Sequence, residues 1–245
     1  MRVLGLLVAG VLLAGSARAA EIKVLTAGAF RPVLDEVVPA FESRSGNKVT
    51  LVTDTAGGVA ARVARGEAFD IAILTPATSG EVEKEGKLIL LTPIASVGMG
   101  VAVKAGAAKP DIGTAEALKA ALLAAPSVAM VDPASGGTSG IYLSQMFERL
   151  GIAEQMRGKL VLTPGGLSAE KIVSGQAAMA LGQASELMAV KGVILAGPLP
   201  GTLQSRTVYV AGMSPKAGEA PLILLAVLAS PETQRTLVEK GMGPP

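Results

Sequence analysis

Two kinds of residue pattern in this chain could do chemistry. Ser168-Ala169-Glu170-Lys171 has the S-x-x-K spacing in which a lysine activates a nucleophilic serine. Its companion motifs are missing, and the same residues read more simply as an N-cap serine opening a helix after Gly165-Gly166. The second pattern is a set of four clusters of small and hydroxylated residues: Ala27-Gly28-Ala29, Thr55-Ala56-Gly57-Gly58, Ser135-Gly136-Gly137-Thr138-Ser139-Gly140 and Gly182-Gln183-Ala184-Ser185. Small residues let backbone approach a guest closely, and a helix that follows aims free N–H groups at it. That chemistry is capture of an anion. The competing reading is four tight turns, because Gly and Ser serve any strand-to-helix connection.

The residue types that are missing narrow the field. Histidine and cysteine are both absent, which removes the usual general base, the usual zinc ligand and the Ser-His-Asp arrangement. No phosphate loop, nucleophile elbow or metal-spaced carboxylate cluster is present, so neither a cofactor nor a metal is expected. With no Trp and only Phe30, Phe41, Phe69, Tyr142, Phe147 and Tyr209 as aromatics, a sugar held between rings is not expected. The acids of Glu81 to Glu85 read as a solvated helix face opened by a Thr78/Glu81 capping box.

The elements that must position these clusters alternate along the chain, as in an α/β protein with mainly parallel sheets. Strands are predicted over 22–26, 49–53, 69–74, 99–103, 127–131, 160–163, 177–181, 193–195 and 207–213. Helices are predicted from Pro32, where Leu34, Val37, Val38 and Phe41 share a face, and over 59–65, 115–123, 139–150 and 168–173. Pro39 predicts a kink or an early break in the first helix. Two more helices close the chain, the last marked by Ser230, Pro231 and a terminal Gly241. Each small-residue cluster follows a strand, where ligand crevices of open α/β sheets lie.

Residues 1–19 read as a secretory signal: Arg2, the apolar run Val3 to Ala14, and Ala17-Arg18-Ala19 as cleavage pattern. Their removal lowers Lys plus Arg from 22 to 20 against 20 Asp plus Glu, so the mature chain is near neutral. Nucleic acid and anionic membrane both select a basic field, and neither is expected as a partner. The expectation is a monomer in the periplasm, held there by an outer membrane because no cysteine is available for a lipid anchor.

Thr26-Ala27-Gly28-Ala29-Phe30, the Gly57-Gly58 turn, Asp70-Ile71-Ala72-Ile73, Val131-Asp132-Pro133 with Gly140-Ile141-Tyr142, Tyr209, and Ser230-Pro231-Glu232-Thr233-Gln234 before Gly241 stand in an order that resembles the molybdate-binding proteins of ABC importers. The likeness covers nearly the whole mature chain. It implies a two-lobed type II periplasmic binding fold, each lobe a mainly parallel sheet flanked by helices, with a ligand cleft and two hinge strands. Lobe 1 would hold 20–96 plus 207–245 and lobe 2 97–206, with hinges near Ile94 to Gly98 and Leu203 to Val208. The function implied is capture of a small anion, a molybdate-like oxyanion or small carboxylate, for a membrane permease that reads the closed shape.

In that family two serines, backbone N–H groups and a tyrosine hydroxyl hold the oxyanion. Here the serine positions carry Ala29 and Ala56 or Gly57, so two hydroxyl donors are missing. The resemblance places ligand contacts at Ala29, Phe30, Gly57, Gly58, Thr138, Ser139, Gly182, Gln183 and Tyr209. Phe30 reads also as core, Tyr209 also as hinge packing, and Tyr142 as packing. The alternatives left open are an exported hydrolase using Ser168 and Lys171, and a sensor subunit that docks on a membrane receptor.

Overall fold

The computed structural model describes residues 19–245, so the expected signal sequence, apart from Ala19, lies outside the described residues. The chain opens with strand β1 (Glu21–Ala27), helix α1 (Arg31–Ser45), β2 (Lys48–Asp54), α2 (Ala56–Ala64), β3 (Ile71–Leu74) and α3 (Pro76–Lys84). The long strand β4 (Ile89–Lys104) follows, then α4 (Ala115–Ala124), β5 (Val128–Val131), α5 (Thr138–Arg149), α6 (Ala153–Arg157), β6 (Leu160–Thr163) and α7 (Glu170–Val173). The remainder is β7 (Met179–Gln183), α8 (Ala184–Met188), β8 (Val193–Pro198), β9 (Arg206–Met213), α9 (Glu219–Leu228), α10 (Pro231–Glu239) and β10 (Met242–Gly243).

These strands form two sheets that share β4. In the first, β1 lies parallel between β2 and β3, and β9 runs antiparallel between β3 and β4. In the second, β5 lies parallel between β6 and β7, while β7 and β8 run antiparallel to the later half of β4. The alternation of side chains along β1 serves two cores. Val24 faces the cluster of Phe30, Leu34, Phe41, Ile71 and Ile73, and Leu25 faces Val59, Val63, Ala72 and Val82. The second sheet is likewise covered on both faces, by Leu118, Leu143 and Phe147 on one side and Ala169, Ile172 and Leu187 on the other.

Register decides where the turns fall. Ala27 pairs with Asp54 and Thr26 with Ile73, so β1, β2 and β3 end along one edge of the first sheet. Val131 pairs with Thr163 in the second sheet, which aligns the ends of β5 and β6 in the same way.

Three local expectations change. Helix α1 does not break early at Pro39, because the ring sits on the exposed face while Val33, Leu34, Val37, Val38 and Phe41 hold both halves to the core. The capping box of α3 is Thr75 with Thr78, one turn earlier than Thr78 with Glu81, since Pro76 takes the first helical position. Ser168 caps nothing: α7 begins at Glu170, and Ser168 is buried in the turn before it.

Between the sheets the chain is clamped at Met99. The side-chain oxygen of Gln204 accepts from the Met99 and Ser205 amides at 2.7 and 2.9 Å, and its amide nitrogen donates to the Met99 carbonyl at 2.9 Å. Gln204→Ala removes these bonds at a partly buried point and should cost about 1–3 kcal/mol in unfolding free energy; equilibrium denaturation of the two proteins checks it.

Candidate functional site

Each of the four small-residue turns reaches one place. Ala27, Gly28 and Ala29 after β1, Asp54, Thr55 and Ala56 after β2, Gly137, Thr138 and Ser139 at the start of α5, and Gln183 at the end of β7 line a single cavity. Gly165 and Gly166 after β6 complete its wall, with Glu186 from α8 and Tyr209 from β9. The enclosed space is ≈ 20 Å³, on the order of one or two water molecules.

Backbone contact between the two sheets' turns shuts this cavity. Thr55 caps α2 by accepting from the Gly58 amide at 3.0 Å, and its hydroxyl donates to the Ser135 carbonyl at 2.6 Å. The Gly57 amide donates to the Gly136 carbonyl at 3.2 Å. Neither glycine tolerates a side chain here: a Cβ on Gly57 would lie 3.0 Å from the Gly136 oxygen, and one on Gly136 would lie 3.2 Å from the Gly57 Cα. Gly136 also holds φ at +73°, the left-handed region.

The donors that remain are largely main chain. Gly137 caps α5 without a side chain, so the first-turn amides at Thr138 and Ser139 are left for a guest. No Lys or Arg is among the lining residues. Asp54 is neutralised at the rim by Arg62 at 2.7 Å, and Arg62 continues to Glu67 at 2.9 Å and Glu67 to Lys23 at 3.0 Å.

Two buried polar groups face each other at the base. The Tyr209 hydroxyl donates to the Gln183 side-chain oxygen at 2.6 Å, and the Gln183 amide donates to the Thr207 hydroxyl at 3.1 Å. Glu186 stands beside them, 9% exposed, with its Oε1 at 2.6 Å from where a Cβ of Gly28 would be. A side chain at Gly28 would therefore have to displace the end of the Glu186 side chain. The Glu186 carboxyl has no hydrogen-bond partner among the described residues, and burial pushes its pKa up to about 8. Burial also raises the Tyr209 hydroxyl, a nearby Glu186 charge raises it further, and the bond to Gln183 opposes both.

Of the residues expected to touch ligand, Ala29, Thr138, Ser139, Gln183 and Tyr209 line the cavity. Gly57 lies at the seam against Gly136. Gly58 is spent on capping α2 and is packed against Asp54, Phe30 is fully buried in the core of the first sheet, and Gly182 packs against Leu187 and Ser168. Tyr142 packs and donates to the Leu203 carbonyl at 2.7 Å. Ser168 and Lys171 are outside the lining. Sequence reasoning missed Asp54, Gly165, Gly166 and Glu186. The signal for Glu186 was available: it is the one acid in the stretch from Ala177 to Val190, directly behind the fourth turn.

The profile of the bacterial extracellular solute-binding protein family matches residues 22–243. The chain belongs to that family. Among solved structures, this solute-binding protein is similar to the periplasmic molybdate-binding protein of Azotobacter vinelandii, with a TM-score of 0.74 and 16% identity over 91% of this chain and 99% of that one. The sulfate-binding protein SubI of Mycobacterium tuberculosis gives a TM-score of 0.72 at 16% identity, over 92% of this chain and 87% of that one. The fold is thus the two-lobed periplasmic binding protein fold that the sequence resemblance implies. A protein from Pseudomonas sp named aconitate isomerase is 31% identical over 237 residues, covering 91% of this chain and 87% of its own length.

The raised carboxyl ties stability to pH. Folded Glu186 keeps its proton up to about 8, whereas the unfolded chain loses it near 4.5. The folded state binds the extra proton in between, so stability falls as pH rises from about 4.5 to about 8 and then levels. Glu186→Gln stays neutral throughout and should gain on the parent protein by a few kcal/mol between pH 5 and pH 8. Urea unfolding of both proteins at these two pH values measures it, and parallel curves would refute the burial argument.

Proposed function

We propose that this protein is exported, with residues 1–19 removed, and captures a small anion in the periplasm for the permease of an ABC importer. Lobe 1 is then 20–96 plus 207–245, lobe 2 is 97–206, and the ligand sits where the four turns meet, admitted as the turns at Gly57 and Gly136 part, because the ≈ 20 Å³ between them is smaller than any such anion. One observation carries the reading: amide-bearing turns from both sheets surround a common cavity lined by no cationic side chain, which suits a guest held by fixed dipoles in a dry site. Thr138, Ser139 and the α5 amides are the donors, and a protonated Glu186 supplies the hydrogen that the missing serines would have given. The ligand class is a molybdate-like oxyanion or a small carboxylate, in keeping with the molybdate- and sulfate-binding names of its structural neighbours.

A thermal-shift screen of the mature protein against molybdate, tungstate, sulfate, phosphate and small carboxylates tests this. A true ligand at a hundred times its Kd adds about 2.7 kcal/mol of stability, roughly 5–10 °C for a chain of this size. No shift with any of these anions would overturn the reading. Gly57→Val should weaken binding of the active anion at least tenfold, because the added methyls meet Gly136 and keep the lobes apart. Titration calorimetry with that variant reads the loss, and unchanged affinity would place the seam outside the binding reaction.

A second reading is favoured by the relative from Pseudomonas sp, whose name is that of an isomerase acting on aconitate. On this reading the same cleft holds an unsaturated carboxylic acid and converts it. The unpartnered Glu186 carboxyl supports it, since a binding site needs no group poised between two protonation states.

A further inference from the structure

The cavity contains one proton-exchanging group that no structural bond occupies. Gln183 and Tyr209 hold each other and Thr207, and Asp54 is tied to Arg62 and the Thr55 amide. Of the titratable groups in the cavity wall, Glu186 alone is buried without a hydrogen-bond partner among the described residues. It is fixed from behind, because α8 is pinned to the first sheet's turn by the Ser185 hydroxyl donating to the Ala29 carbonyl at 2.7 Å. The carboxyl is held against Gly28, at the join between the lobes, where a guest and the amides that hold it meet.

We propose that Glu186 is the acid–base residue of this cleft and moves a proton between two carbons of a captured unsaturated carboxylic acid. The proposal rests on the isomerase reading above. For an acid of the type CH2(COO⁻)–C(COO⁻)=CH(COO⁻), the Glu186 carboxylate takes a proton from the CH2 carbon. The electrons of that C–H bond become the new double bond to the central carbon. The π pair of the old double bond then takes the proton from Glu186 at the far carbon. One C–H bond breaks, one forms, the double bond moves by one position, and Glu186 ends as it began. No oxidant, reductant or second reactant enters, and rotation before reprotonation decides which geometric isomer leaves.

The charge that builds on the substrate's carboxylate during the transfer falls where the α5 amides at Thr138 and Ser139 are free to meet it. The other titratable groups facing Glu186 are Tyr209 from β9 and Asp54 from the end of β2, the second already paired. With its pKa near 8, the carboxyl is close to the value at which one group both takes and returns a proton in neutral solution. The step needs the ionised form to begin, so the rate should rise about tenfold per pH unit from pH 5.5 to 7.5 and level above about 8.

The test uses the mature chain with cis-aconitate and trans-aconitate as probes, interconversion being followed by proton NMR. The parent protein should interconvert them with this pH profile. Glu186→Gln, the same size and neutral, should lose at least a hundredfold in kcat while still binding trans-aconitate by calorimetry. Glu186→Asp should recover part of the rate. A variant Glu186→Gln with parental turnover, or a flat pH profile, overturns the proposal. Binding of aconitate without turnover by the parent protein overturns it too but leaves anion capture standing, whereas neither binding nor turnover removes tricarboxylates from the ligand class as well.

Discussion

The contact between Thr55-Ala56-Gly57 and Ser135-Gly136 is the constraint on which the closed cleft depends. It is a backbone contact, with a hydroxyl–carbonyl bond of 2.6 Å and an amide–carbonyl bond of 3.2 Å across the seam. A Cβ at either glycine would press the two turns apart by a few tenths of an ångström. The approach narrows the cavity: Asp54 pairs with Arg62 at its rim and Gly165 lies over the Thr55 methyl. In such a space, neutral dipoles act more strongly than they would in water, and an unpaired carboxyl keeps its proton.

The parallel pairing of β1 with β2 and β3, and of β5 with β6 and β7, explains how four turns far apart in sequence share one cavity. A parallel strand returns through a crossover helix, so every strand delivers its carboxyl end, and the helix start after it, to the same edge. The strand shared by the sheets, β4, sets the two edges facing one another, and Gln204 fixes the second connection beside Met99.

Much of this was readable in the residues. The small clusters at 27–29, 55–58, 135–140 and 182–185 each supply residues to the wall of the cavity, because the strands they follow end at it. What was not readable depended on partners distant in sequence. Gly57 was expected to present its amide to a ligand, yet its amide is used by Gly136, seventy-nine positions away. Phe30 could face cleft or core, and the choice was made by Leu34, Phe41 and Ile71 packing around it. Glu186 carried no local sign of its state, since a carboxyl behind a turn is ordinary until Gly28 and Tyr209 enclose it. The family resemblance supplied the order of the elements, and of its glycines Gly58 meets a cap and Gly182 a packed neighbour instead of the cavity wall.

The pairing of β3 with β9 joins positions 73 and 211 in register. A growing or refolding chain thus has β2, β1 and β3 in hand long before the strand that completes them, and the β3 edge stays open while the whole second sheet is assembled. Closing so long a loop is entropically expensive, and topologies rich in such contacts fold slowly. An open edge made of Ile71, Ala72, Ile73 and Leu74 is a template for pairing with another chain in that interval. The connectivity that places both ends of the chain in one sheet makes the rate of acquiring β9, more than the strength of either core, the step at which this protein is exposed to aggregation.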